Sequence, residues 1–301
     1  MRRISCFLFL LIILGFSSSC DRNIQGNRGG KDTADFSRAN SSINLYGNFN
    51  EGQLLFYYYR DLLNHEVKNY SIIKSDTSIS HDLAARIPME INFNRGPHVV
   101  KYILFPGDSI NVITKRYNHY HLRSAHNIRQ NELRYQFVNG PKIDVNMHFS
   151  KDNEYGFNRK DLLQQYTYWT TKTKAALSEK LISEDFADYH QIILKSKLIT
   201  NFLYPIYVPN QEKIVEEIDD ALIKEHLVLD EKYLGLTSYR SALWHYLKFQ
   251  TLKKDKEITP NLMASTAASF FKGEIRDFML AQILREQQEK GNLLAWTNEY
   301  D

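Results

Sequence analysis

The spacing of apolar residues changes partway along the chain, and this change limits the possible folds more than any other feature. Up to about residue 113, apolar and polar residues alternate in short runs bounded by Gly, Asn, Asp or Pro, as in strands with one buried face. Beyond residue 155, apolar residues recur every three or four positions, which is the period of an amphipathic helix. Strands followed by helices indicate an α+β fold. We expect an N-terminal antiparallel β-sandwich or meander, followed by an all-helical domain.

The predicted strands are short and rich in the aromatic and β-branched residues that strands favour. Pro106-Gly107-Asp108 indicates a turn before the last of them, because proline presets φ and glycine tolerates positive φ. The expected strands cover residues 43–45, 47–49, 54–59, 70–73, 89–93, 99–104 and 109–112.

Six helices are expected after the strands. Apolar stripes at residues 162–177 and 186–203 mark the clearest two, and Pro205 ends the second because proline interrupts a helix. Ser238 is a candidate N-cap for the fourth helix, and Pro260 fits the first turn of the fifth. The remaining stripes cover residues 214–222, 239–247 and 275–284, and Gly291 is expected to end the last helix.

The first twenty residues predict a lipoprotein signal peptide. Arg2 and Arg3 precede an apolar run at residues 7–16, which is shorter than the ~20 residues of a membrane-spanning helix. Small residues then lead into Cys20, and this arrangement resembles a bacterial lipobox, in which the thiol carries lipid. Ser17 departs from the pattern, which prefers Leu or Val there, so ordinary secretion with a chance cysteine remains the alternative.

Cysteine usage limits the chemistry further. The sequence contains two cysteines, Cys6 and Cys20. Since Cys6 would leave with the signal peptide and Cys20 would be acylated, we expect no disulfide and no free thiol in the mature chain. The expected organisation is a signal peptide (1–19), a flexible tether (20–41), a β-sandwich domain (42–118), a connecting segment (119–155) and a helical domain (156–301).

The net charge and the spacing of the histidines bear on two kinds of ligand, nucleic acid and metal ions. The formal net charge of +3 gives no reason to expect nucleic-acid binding. His119, His121 and His126 are weak zinc candidates, because residues two apart share one face of a strand. The sequence around them offers no acidic or cysteine ligand, so a solvated polar loop is the favoured interpretation, and no metal or cofactor is expected.

A basic segment and an aromatic run each suggest a surface that binds a ligand. Nine Lys/Arg against three Asp/Glu between Arg86 and Lys142 would suit an anionic partner such as lipid headgroups, lipopolysaccharide or acidic glycan. Scattered charges are the favoured interpretation. The aromatic run at residues 56–59 would suit sugar stacking, but alternation in a strand leaves at most two of the four rings on one surface, so core packing is favoured.

Familiar catalytic motifs are missing from the sequence. It contains no Gly-x-Ser-x-Gly, P-loop or Gly-x-Gly-x-x-Gly, and His65-Glu66 lacks the second histidine of a zincin helix. We therefore expect no enzymatic activity from this chain.

Three stretches carry a family resemblance: residues 104–112, Ser238-Tyr239-Arg240 with the helix after it, and residues 271–278. Over roughly residues 42–290 the chain resembles the N-terminal and helical regions of Bacteroidetes thioredoxin-like (TlpA-type) lipoproteins. The resemblance implies a lipidated N-terminus, a small β-sandwich and a helical region that contacts protein. That family continues into a thioredoxin domain with Trp-Cys-x-x-Cys, whereas this sequence has no Cys-x-x-Cys, so no redox residue carries over.

These observations predict a lipid-anchored cell-envelope protein that faces the periplasm, with the outer membrane favoured over the inner one. Its expected role is a non-catalytic interaction or scaffold module, whose partners are the membrane, through the lipid, and an unidentified protein. Two alternatives stay open. One is a truncated or split thioredoxin-like thiol-disulfide oxidoreductase, and the other is a glycan- or peptide-binding lipoprotein.

Overall fold

The computed structural model describes residues 42–61, 66–95, 98–116, 119–123, 128–139, 155–207, 218, 220–255 and 257–289. The predicted signal peptide, Cys20 and the tether lie outside these ranges. Residues 40–285 make up one compact unit, which holds every described strand and nearly all the described helical residues. A second grouping joins residues 1–39 to 286–301, and of it the structure describes only the last turn of the final helix.

Strands occupy the first part of the described chain and helices the second, which confirms the α+β prediction. The turn at Pro106-Gly107-Asp108 is present, with Gly107 at φ 92° and the Asp108 carboxylate accepting the Phe105 N–H at 2.7 Å. The strands are β1 (Ser42–Phe49), β2 (Leu54–Arg60), β3 (Glu66–Ile72), β4 (Thr77–Ala84), β5 (Met89–Arg95), β6 (His98–Leu104), β7 (Ser109–Arg116) and β8 (His119–Arg123).

The strands form a sandwich of two four-stranded halves. They pair in the order β3-β2-β5-β8-β7-β1-β4, and β6 pairs with the other side of β5. The link between β5 and β8 is a single residue pair, Arg95 with His119, and side chains from both halves fill one core. All pairs are antiparallel except β1 with β7, which is parallel. That core includes Ile43, Leu45, Tyr57, Ile91, Phe93, Ile110 and Val112.

The described helices agree with the strongest predicted stripes. Residues 162–177 lie in α2 and residues 186–203 in α3, which ends just before Pro205 as expected. Pro260 occupies the first turn of α6, where the Thr259 hydroxyl accepts the Leu262 N–H at 3.3 Å. The helices are α1 (Ile128–Asn139), α2 (Tyr155–Ser178), α3 (Glu184–Leu203), α4 (Asp220–His226), α5 (Thr237–Lys254), α6 (Pro260–Phe270) and α7 (Gly273–Glu289).

The prediction that Ser238 caps helix α5 was wrong. Leu236 occupies the N-cap position and makes no side-chain cap bond. Ser238 lies inside the first turn, where its backbone N–H donates to the Glu90 carboxylate at 2.9 Å. A carboxylate on β5 therefore satisfies an N–H at the start of α5, a position where the helix favours negative charge.

Three elements were not predicted: strand β4, strand β8 and helix α1. The last two lie within residues 119–155, which the sequence suggested were a connecting segment. Two expected features lie outside the described residues, namely Ile214 in the predicted third helix and Gly291 at the end of the last.

The helices build a second hydrophobic core on the β5–β6 side of the sandwich. Ile103 of β6 belongs to this helical core, together with residues of α1, α2, α3, α5, α6 and α7. Among the helices that the structure describes, none combines the length and hydropathy needed to cross a membrane.

Candidate functional site

Helix α1 buries polar side chains against three different elements. The Asn131 side-chain amide accepts the Ile103 N–H at 2.8 Å and donates to the Ile103 carbonyl at 3.1 Å. Asn131 thereby takes the place of a neighbouring strand at the outer edge of β6. The Gln130 carbonyl accepts from the N–H and the hydroxyl of Ser183, both at 2.8 Å. Ser183 in turn caps α3, because its hydroxyl accepts the Phe186 N–H at 3.1 Å.

The third contact of α1 is a buried ion pair. Arg134 Nη2 lies 2.7 Å from Glu90 Oε1, and the two side chains are 1% and 2% exposed. Burial alone raises the pKa of Glu90, but the charges of Arg134 and Lys101 and the hydrogen bonds from Ser238 outweigh burial and lower that pKa. Glu90 is therefore a carboxylate that ties β5 to α1 and α5.

A buried histidine lies near this ion pair. His190 Nδ1 is 2.9 Å from the Thr173 hydroxyl oxygen, and that hydroxyl donates to the Trp169 carbonyl at 2.8 Å. The Thr173 oxygen therefore accepts a hydrogen bond from Nδ1–H, which identifies His190 as the neutral Nδ1–H tautomer. Burial, reinforced by the charge of Arg134, lowers the pKa of His190 to about 3.

Aromatic rings enclose this polar cluster and separate it from solvent. The Phe137 ring lies 5.1 Å from the Arg134 guanidinium and 5.7 Å from the His190 ring. Phe186 stacks on the other side of His190, with centroids 6.0 Å apart. Among the described residues, Arg134 Nε and Nη1 and His190 Nε2 have no hydrogen-bond partner. The hydrogen bonds of this buried cluster link α1 to β5, β5 to α5 and α2 to α3.

A second group of residues lies at the surface, where helix α5 meets the 3₁₀ turn Tyr204–Tyr207. Tyr204 and Tyr207 are 48% and 43% exposed, and Trp244, His245 and Lys248 are half-buried. Lys248 Nζ lies 5.2 Å from the Tyr207 ring centre and 5.1 Å from that of Trp244. These five residues are called the aromatic patch below.

Packing fixes the rings of the aromatic patch. The Tyr207 ring meets the His245 ring edge-on, with centroids 5.2 Å apart, and His245 Nδ1–H donates to the Ser241 carbonyl at 2.7 Å. Burial lowers the pKa of His245, and the nearby charge of Lys248 acts in the same direction. Lys248 therefore supplies the positive charge of the patch at neutral pH.

The predicted metal candidates receive no test from the described side chains. His119 and His121 lie on β8, but their side chains, and all of His126, fall outside the described residues. Within the part of the chain that is described, no three His, Cys, Asp or Glu residues are grouped so as to hold a metal ion. The lipidation site Cys20 also lies outside that part, so both remain predictions.

The structure bears on part of the predictions for the basic segment at residues 86–142 and the aromatic run at residues 56–59. Arg134 is buried in its ion pair, so it does not contribute to a surface for anionic partners. Tyr57 is 1% exposed and packs in the sandwich core, as expected. Phe56 and Tyr58 share the opposite face with ring centroids 5.8 Å apart, and Tyr70 of β3 joins them at 6.2 Å from Phe56.

One depression of about 460 Å³ lies on helix α2. Its lining within the described residues comes from a single helix, whereas an ordinary ligand pocket is lined by several elements. The lining residues are Arg159, Lys160, Leu163, Gln164 and Thr167.

Neither the buried polar cluster nor the aromatic patch was predicted from the sequence. Glu90 is 44 positions from Arg134 and 148 from Ser238, so no local pattern relates them. Trp244 and Lys248 are four apart on a helix, and this spacing was a signal for the patch. Comparisons with protein-family models, with characterised proteins and with solved structures give no match to this chain.

Proposed function

We propose that this chain is a lipid-anchored protein of the cell envelope that acts as a non-catalytic interaction or scaffold module. It faces the periplasm from the outer membrane and binds a partner protein through the aromatic patch. The observation that carries this proposal is the placement of the Lys248 ammonium between the Tyr207 and Trp244 rings at the surface, with the exposed Tyr204 ring 6.2 Å from that of Tyr207.

Residue type and rigidity support a contact role for the aromatic patch. Tyrosine and tryptophan dominate the binding energy of protein interfaces, because they bury large areas and lose little side-chain entropy. In the patch, Lys248 lies against two of the rings and His245 against one of them. A partner would therefore meet rings whose orientation is already fixed, which reduces the entropic cost of binding.

The buried polar cluster supports the scaffold part of the proposal. Helix α5 begins at the Glu90 carboxylate and carries Trp244 about two turns later and Lys248 about three turns later. The start of the helix is thus hydrogen-bonded to strand β5 of the sandwich. This bond fixes the position of the helix that carries Trp244, His245 and Lys248.

Sequence features support the membrane anchor. The apolar run before Cys20 and the polar residues 20–41 match a lipid-bearing cysteine followed by a tether. A flexible segment of this length has a root-mean-square span of about 25 Å, so the folded part could approach partners close to the membrane.

Photo-crosslinking in intact cells tests the contact role. A photoreactive phenylalanine analogue in place of Tyr207 should give one discrete adduct. The same analogue in place of Tyr168, which is 46% exposed and has Lys172 Nζ 5.7 Å from its ring centre, is the matched control. Trp244→Ala in the chain labelled at position 207 should reduce the adduct by about tenfold or more, because it removes a central aromatic contact.

Equal labelling at positions 207 and 168, or an adduct unaffected by Trp244→Ala, would contradict the proposal. The mass of the adduct also tests one alternative. A crosslinked partner that carries a Cys-x-x-Cys motif would favour a split thiol oxidoreductase over a simple scaffold.

Glycan binding is a second candidate function, and the same patch favours it because tyrosine and tryptophan faces stack on sugar rings. Titrating the purified chain with envelope glycan fragments and following tryptophan fluorescence separates the two functions. A saturable change that Trp244→Phe abolishes and Trp169→Phe preserves would support glycan binding. No change at millimolar glycan would leave the protein-contact role as the better account.

A further inference from the structure

The outer edge of strand β3 differs from the edges of β6 and β4. The edge of β6 is closed by the Asn131 amide, and β4 exposes mainly polar side chains along its length. Among the described strands, β3 comes first in the strand order; beside the ion pair of Lys68 and Glu66, whose side-chain atoms are 2.7 Å apart, it exposes Tyr70 and Ile72 by 62% and 59%. Natural proteins usually cover or charge such an edge, because it is a template for pairing with another strand.

The hydrogen-bond pattern between β2 and β3 shows which residues of β3 direct their backbone N–H and C=O groups away from β2. The Ile73 N–H donates to the Gln53 carbonyl at 2.9 Å, and the Ile73 carbonyl accepts the Gly52 N–H at 2.8 Å. Since antiparallel ladders alternate, the odd-numbered residues of β3 also bond β2, and the even-numbered ones direct their N–H and C=O groups outward. The outward residues are Glu66, Lys68, Tyr70 and Ile72.

We propose that β3 pairs antiparallel with β3 of a second copy of this chain, about a two-fold axis at Asn69. Full overlap of Glu66–Ile72 with itself places each Lys68 opposite Tyr70 of the second copy, and each Glu66 opposite Ile72 of the second copy. In this register every outward residue meets an outward residue, which is the requirement for hydrogen-bonded pairs.

The side chains fit this register. Each Lys68 ammonium lies opposite an exposed tyrosine ring, where it gains a cation–π contact. No like charges are directly opposite one another, whereas a register centred on Lys68 would oppose two lysines and is disfavoured. The two rings beside β3, Phe56 and Tyr58, extend the apolar surface on the same face of the sheet.

This contact is separate from the aromatic patch, so each can fail without the other. A second copy is favoured over an unrelated extended peptide because the two-fold axis forms the Lys68–Tyr70 contact twice. Tethering of copies to one membrane would raise their effective concentration and strengthen a modest contact.

Disulfide trapping in cells tests the proposal with the full acylated chain. Asn69→Cys brings two thiols together at the axis, where the Cα atoms of a non-hydrogen-bonded pair are about 4.5 Å apart. We expect a covalent dimer on a non-reducing gel, and little from Ser78→Cys on the edge of β4, which is the matched control. Crosslinking of Asn69→Cys no greater than that of Ser78→Cys would overturn the proposal.

Sedimentation of the purified acylated chain in detergent gives an independent readout. Tyr70→Pro removes an outward N–H and leaves the bonds to β2 in place, so it should raise the dimer dissociation constant at least about tenfold. Circular dichroism should show that this variant keeps the wild-type spectrum. A wild-type chain that stays monomeric at every concentration, or that pairs only with an added extended peptide, would contradict the β3–β3 contact.

Discussion

Replacing Arg134 with methionine should lower the free energy of unfolding by about 3–5 kcal/mol, as expected when one member of a buried ion pair is removed. The cause is the Glu90 carboxylate, which would remain 2% exposed with its positive partner lost. Its bonds to Ser238 would persist, but these alone do not offset the cost of a buried charge. Urea unfolding of the purified chain at pH 7, followed by circular dichroism, measures the change.

A double variant identifies the mechanism of that loss. Adding Glu90→Gln to Arg134→Met removes the unpaired charge and keeps a side chain that can accept from Ser238. The double variant should therefore be more stable than Arg134→Met by about 1–3 kcal/mol. A loss below about 1 kcal/mol for Arg134→Met, or a double variant less stable than the single one, would mean that the pair does not hold β5 to α1.

The second large effect is acid destabilisation through His190. Its pKa in the folded chain is about 3, against about 6.5 in an unfolded chain. Below pH 6.5 the unfolded chain takes up a proton that the folded chain does not bind, so stability falls as the pH drops from 6.5 toward 3. The expected slope approaches 1.4 kcal/mol per pH unit.

The pH window from 6.5 to 4.5 separates His190 from Glu90. The pKa of Glu90 is lowered in the folded chain. Its contribution to the free energy of unfolding is therefore fully present at pH values above the ordinary pKa of a glutamate, and is lost only at lower pH. Within the window, His190 should account for a loss of about 2 kcal/mol. The pKa values of His226 and His245 are also lowered by burial, so the test compares slopes rather than single values.

His190→Gln cannot titrate and can still donate to Thr173, which makes it the matched variant. Its unfolding free energy should fall much less steeply between pH 6.5 and 4.5 than that of the wild-type chain. Parallel profiles for the two proteins would show that His190 titrates normally in the folded state.

The period of apolar residues predicted the elements whose buried faces are mainly apolar. Helices α2 and α3 bury apolar stripes despite a few polar residues such as Thr173 and His190, and strands β5 and β6 are bounded by turn residues. Helix α1 was not predicted because its buried face carries Gln130, Asn131 and Arg134, so the apolar period is weak there. Polarity also hid β4, in which most side chains are exposed.

Pairing direction and long-range bonds have no local signature. Alternation predicts strands at residues 43–45, 47–49 and 109–112, but it does not tell that the first two form the single strand β1 or that β1 runs parallel to β7. The bonds among Glu90, Arg134 and Ser238 join residues far apart in the sequence. The aromatic patch likewise depends on how the 3₁₀ turn after α3 packs beside α5, which follows from the tertiary fold.

The variant Cys20→Ser tests whether lipid on this cysteine holds the folded part of the chain at the membrane. Cells would be labelled with a radioactive or clickable palmitate, fractionated into membrane and soluble parts, and probed for the chain. We expect the wild-type chain to be labelled and membrane-bound, and the Cys20→Ser chain to be unlabelled and released into the soluble fraction. Retained label, or unchanged membrane association of Cys20→Ser, would contradict the lipid anchor.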